Sequence, residues 1–144
     1  MAAFRFAFLL QLALDEREEA SRAMQTAQAA WLQAQAKLEQ VDAFRNEYRA
    51  RLTQNGQQGM SVIQWRDFQL FLAKLDGAAQ QQGNEVQRLA QLYQERKISW
   101  QDCERKVKAF EALRDRHERS EMAKENKREQ KILDDFNSRI RREH

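Results

Sequence analysis

The chain of 144 residues contains no proline and only four glycines, while 33% of its residues are charged. Its formal charge of +3 comes from 25 basic and 22 acidic side chains whose signs are interleaved, which leaves no polybasic arm for nucleic acid. The single cysteine, Cys103, excludes an internal disulfide and fits a reducing compartment.

Proline costs about 3 kcal/mol inside a helix and is otherwise common in loops, so a chain of this length without it can be helical nearly end to end. Ala, Leu, Gln, Glu, Lys and Arg dominate, and β-branched residues are few, which argues against a sheet. Because much of the apolar fraction is alanine, the composition predicts an all-α, elongated protein with a thin seam in place of a thick core.

The first element begins in "FRFAFLLQLAL", an apolar run after a single Arg. It lacks a clear small-residue cleavage site and continues at helical spacing into "DEREEA", so it reads as the start of a helix and not as a signal peptide. No stretch approaches the ~20 apolar residues of a membrane span, and no direct membrane insertion is expected. Positions 10, 13, 17, 20, 24, 27, 31, 34, 38, 41, 45, 48 and 52 alternate steps of three and four and are mostly apolar or small. They form an a/d seam over a helix of about residues 5–54, interrupted by Arg17 and Arg45. Long cationic side chains can snorkel at the edge of a two-helix contact, which is the reading favoured for these two and for Arg96 over a role in specifying register.

"TQNGQQGMSVIQ" then supplies a turn at about residues 55–60. Asn55-Gly56 and Gly59 offer positions of positive φ, and Ser61 with Gln64 has the spacing of a capping box. So short a connection predicts an antiparallel hairpin. If the turn centres near residue 57, Trp31 faces Gln82-Gly83, Leu38 faces Leu75 to Gly77, and Trp100 faces Ala13-Leu14.

The second helix, about residues 61–140, carries its seam at 65, 68, 72, 75, 79, 82, 86, 89, 93, 96, 100, 103, 107 and 110. Trp65, Trp100 and Cys103 fall on it and read as core residues. The pattern then fails: 114, 117, 121 and 124 are Arg, His, Glu and Lys. The first helix is exhausted at the same place, so residues from about 111 to 140 should overhang as a single helix of roughly 45 Å. On that overhang Leu133, Phe136 and Ile140 step by three and four with no partner in the hairpin, an apolar anchor for an external surface. The isolated chain is expected to be a monomer.

Chemistry has little to work with. The histidines are His117 and His144, and no HExxH, CxxC, glycine-rich phosphate loop or G-x-S-x-G occurs, so no catalytic residue, metal or cofactor is expected. "WRDFQLFLAKL" (65–75) holds more large apolar side chains than one seam needs. Phe71, Leu75 and Ala78, and on the first helix Val41, Phe44 and Tyr48, rise at steps of three and four. They form either a second, exposed stripe of the kind that marks a partner site or a broadened core capped by the turn.

Four blocks in this order, the opening "FRFAFLLQLALDEREEA", "FRNEYRARL", "WRDFQLFLAKL" after a glycine-containing turn, and "KREQKILDDF", resemble the flagellar FliJ family of the bacterial type III export apparatus. The resemblance spans essentially the whole chain. It implies a non-enzymatic two-helix coiled coil similar to the central stalk of rotary ATPases, cytoplasmic and peripherally associated with the inner membrane at the flagellar base. It further implies insertion into the hexameric export ATPase, which it stimulates, and contacts with the cytoplasmic domain of the export gate and with export chaperones. Carried over by position, the gate-binding stripe is Val41, Phe44, Tyr48, Phe71, Leu75, Ala78 and Gln82, and the ATPase-binding end holds Leu133, Phe136 and Ile140. The equivalent stalk of a virulence type III secretion system and a generic coiled-coil adaptor remain alternatives. Nucleic acid is not an expected partner, because acidic residues nearly match basic ones over 111–144 and little counterion release is available.

Overall fold

The structure, a computed structural model, describes residues 3–143, so His144 lies outside it. Two helices account for almost all of it: α1, Ala7–Gln57, and α2, Val62–Glu143. The molecule is an all-α helical hairpin, and no strand occurs among the described residues.

α1 runs past its expected end near residue 54 and closes at Gln57. Asn55 and Gly56 do not break it, because each costs at most about 1 kcal/mol in a helix that tertiary packing already supports. The stop is at Gly59, whose φ of 91° is the one left-handed position among the described residues. Gln58 N–H still donates to the Gln54 carbonyl at 3.2 Å, and Gly59 N–H donates to that of Gly56 at 3.4 Å. α2 starts with the expected capping box. The Gln64 N–H donates to Ser61 Oγ at 3.1 Å, and the Ser61 N–H donates back to Gln64 Oε1 at 3.3 Å.

By their contacts the residues form two compact units: Ala20–Ser99 in one, and the stretches up to Glu19 and from Trp100 onward in the other. In the unit of residues 20–99, α1 and α2 pack antiparallel over Ala27, Ala34, Leu52 and Ala79, all buried. Alanine at the seam lets the helix axes approach closely but buries little area, at about 25 cal/mol per Å². Larger groups fill the remainder: Trp31 stacks on Tyr93 with centroids 5.5 Å apart, and Tyr48 lies 5.2 Å from Phe68.

The unit of the chain ends has its core at Leu10, Ala13 and Val107, with Phe4, Leu14 and Phe110 packed against it. Val107 is fully buried. Arg17 pairs with Glu104 at 3.3 Å, and Lys106 pairs with Glu16 at 3.4 Å.

The expected α1 seam positions are all buried or half-buried, and those of α2 are too except Trp65 and Arg96, which are exposed. The periodicity is therefore right, but the pairing inferred from it is shifted. Trp31 meets Tyr93 and not Gln82-Gly83, and Gln82 instead donates its amide to the Ala34 carbonyl at 3.0 Å. The later turn accounts for part of this, since a turn between Gln57 and Val62 carries partners about five residues along α2. The same shift accounts for Trp65, which lies beside Gly56 in the last turn of α1 instead of between the helices.

Pairing also persists beyond residue 110, where the overhang was expected to begin. Phe4 and Phe6, just before α1, carry the contact onward: Phe6 lies 6.4 Å from Phe110, and the Phe4 ring sits 5.7 Å from that of His117. Only from Met122 to Glu143 is every residue of α2 exposed. At 1.5 Å per residue this is about 33 Å of unaccompanied helix, shorter than expected.

Candidate functional site

The stripe near the turn lies within the unit of residues 20–99. Its aromatic members are brought together: the Tyr48 ring is 4.8 Å from Phe71 and 5.2 Å from Phe68, a three-ring cluster joining α1 to α2. Phe71 nevertheless stays 41% exposed and Phe44 47% exposed. Val41, Tyr48, Leu75 and Gln82 are half-buried at the seam edge, and Ala78 is exposed. The stripe is thus divided, with Phe44, Phe71 and Ala78 offering surface and the others doubling as seam. Gln82 is tied to the interior, since its side chain reaches across to α1. Leu70, Val62 and Ile63, at 56%, 83% and 74% exposed, extend the apolar surface toward the turn. Sequence reasoning left Val62 and Ile63 out because they precede the first heptad position.

Ion pairs also join the two helices of this unit. Asp76 accepts from Arg45 at 3.3 Å and from Arg49 at 3.1 Å, while Arg45 also holds Asp42 at 3.2 Å. Arg45 and Arg17 therefore do not merely snorkel. Each also reaches across to a carboxylate on α2, a contact in favour of the alternative reading in which the polar interruptions help to specify pairing. Arg96 is exposed. On the surface of α2, Arg88 forks onto Glu85 at 2.6 and 2.9 Å. That hydrogen bond and the guanidinium charge hold the Glu85 carboxyl below its usual value and raise Arg88 in turn.

The second candidate lies at the end of α2, in the other unit. Leu133, Phe136 and Ile140 are 55%, 58% and 40% exposed, and Ile132, at 68%, joins them on the same face. Ile132 was missed although it stands four residues before Phe136 and eight before Ile140, a helical spacing that an a/d reading in steps of three and four passes over. These four apolar side chains form one exposed stripe on an otherwise polar stretch of helix, with neither helix packed on them among the described residues.

No helix is long and apolar enough to cross a membrane, and no group of three His, Cys, Asp or Glu could hold a metal ion, both among the described residues. Cys103 is half-buried.

A family model described as "Flagellar FliJ protein" matches residues 1–144. The chain belongs to the FliJ family. Its similarity to individual members is distant but extends over about nine-tenths of each chain. It is 27% identical to the flagellar FliJ protein of Salmonella typhi over 131 residues, 91% of this chain and 89% of that one. It is equally similar to the flagellar FliJ protein of Escherichia coli K12, 27% identical over 133 residues, 92% of this chain and 90% of the other. Membership in FliJ makes the chain a flagellar component, the assignment that the four sequence blocks pointed to.

Proposed function

We propose that this FliJ-family chain is a non-enzymatic central-stalk and coupling component of the flagellar type III export apparatus. In this reading the C-terminal end of α2 inserts into the hexameric export ATPase and stimulates it. The stripe around Phe44 and Phe71 engages the cytoplasmic domain of the export gate, and export chaperones are further partners. The protein works in the cytoplasm, at the inner membrane beneath the flagellar base. Whole-chain membership in a flagellar family favours this over the injectisome stalk and the generic adaptor.

One observation carries the reading. The last 22 residues of α2, from Met122 to Glu143, are exposed throughout, yet they carry Ile132, Leu133, Phe136 and Ile140 on one face. Such a face costs solubility and adds nothing to the hairpin, so its use lies with a partner. Deleting residues 125–144 should abolish stimulation of the export ATPase while gate binding, measured by titration of the gate domain, persists. Undiminished stimulation by the truncated chain would sink the proposal.

A further inference from the structure

The unit of the chain ends contains a cleft of about 340 Å³ that none of the roles above uses. Phe4, Phe6 and Leu113 form its apolar walls, and Arg5, Arg116 and His117 stand around them. The volume is at the lower end of the range of ligand-binding clefts, room for one or two side chains. The walls are held in place: Phe4 and Phe6 meet edge-on at 5.9 Å, Phe4 lies against His117, and the Arg5 guanidinium sits over the Phe6 ring at 5.7 Å.

Two of the cations here, Arg5 and Arg116, stand outside the local ion pairs. Arg114, one helical step away, is paired with Glu111 and Asp115. Neither Arg5 nor Arg116 makes an ion pair among the described residues. Two guanidiniums beside an apolar floor attract an anion that brings apolar surface with it. Docking of that surface displaces water and strengthens the charge contact, which in open solvent would be worth little. We propose that this cleft binds an acidic segment of a partner protein that presents a leucine or phenylalanine between its carboxylates. Nucleic acid fits poorly, since a polyanion needs a continuous basic track and the cleft offers only Arg5 and Arg116 as unpaired guanidiniums. The inference rests on the cleft alone and is independent of the stalk reading.

The test uses the full chain and two fluorescein-labelled peptides of equal length, one alternating Leu with Glu and the other Leu with Gln, followed by anisotropy. The Glu peptide should bind about tenfold more tightly at low salt, and the preference should shrink at about 500 mM salt. Arg5→Gln with Arg116→Gln should erase the preference, whereas Arg139→Gln with Arg141→Gln, which removes the same charge elsewhere on α2, should keep it. All four arginines are exposed and only Arg5 adds a ring contact, so the thermal midpoint should move by no more than about 2 °C in either double variant. Independently of any variant, the Glu peptide should shift the His117 ring resonances. Equal binding of the two peptides, equal loss in both double variants, absence of binding, or an unmoved His117 would each overturn the proposal.

Discussion

At the scale of single residues, the turn shows how alike two glycines look in sequence and how differently they act. Both Gly56 and Gly59 were read as helix-ending positions, but only Gly59 adopts positive φ. Gly56 is helical, and a Cβ there would meet Trp65 at 3.6 Å, an ordinary contact. Gly56→Ala should therefore stabilise the protein by about 0.5–1 kcal/mol, while Gly59→Ala should destabilise it by about 1 kcal/mol. Urea unfolding of the two variants checks the opposite signs. The capping box was legible because Ser-x-x-Gln is a local motif whose partners are three residues apart. The helix end was not, because tertiary packing overrides a weak local penalty. Phe71 is a mixed case, since it lies off the heptad seam yet touches Tyr48. Phe71→Ala should cost about 2 kcal/mol, below the ~3–5 kcal/mol of a buried Phe, and should weaken binding to the proposed gate partner by at least about tenfold. The neighbouring seam variant Leu72→Ala should lower the thermal midpoint with gate affinity kept. A large midpoint loss for Phe71→Ala with normal affinity would make the aromatic cluster simply core.

At the scale of elements, the heptads were readable because burial repeats along one helix, a property of the local sequence. Register is a relation between two helices, and it depends on where the turn falls to within one or two residues. Placing the turn early sent Trp31 to Gln82-Gly83, when its ring stacks on Tyr93. The polar pairs would have corrected this, since Arg17 finds Glu104, and Arg45 with Arg49 finds Asp76 only in the observed register. Arginines on a seam are thus better read with the carboxylates they can reach than as edge decoration. Zero-length carbodiimide cross-linking discriminates the two registers. It should join Glu16 to Lys106, whose Oε2 and Nζ are 3.4 Å apart. The earlier turn would place Ile98 opposite Glu16, and that pairing would leave the 16–106 cross-link absent from the peptide map.

At the scale of the whole molecule, α2 is exposed at every described residue from Met122 on, and that stretch must be supported by its own pairs. Those are weak, such as Lys124 to Glu121 at 3.7 Å and Gln130 to Asp134 at 3.4 Å, each worth a few tenths of a kcal/mol. That the segment has an apolar face was legible from spacing. That contact with α1 extends to His117 was not, because it depends on Phe4 and Phe6, which precede α1 and belong to no heptad. A stripe that contributes nothing to folding can be changed without unfolding the protein, and this gives the sharpest test of the proposed anchor. Phe136→Glu replaces a ring that is 58% exposed, so the thermal midpoint of the hairpin should stay within the ~0.5 kcal/mol scatter of surface substitutions. The same carboxylate, forced into an apolar socket on a partner, would lose the ring's contacts and bring an unpaired charge out of water, a cost of several kcal/mol. The concentration that half-saturates stimulation of the export ATPase should accordingly rise by about two orders of magnitude, with the gate interaction unchanged. If Phe136→Glu stimulates as the native chain does, α2 engages the ATPase through another face. If instead it lowers the midpoint, the end of α2 packs on the hairpin in solution and the exposed stripe is not a free surface.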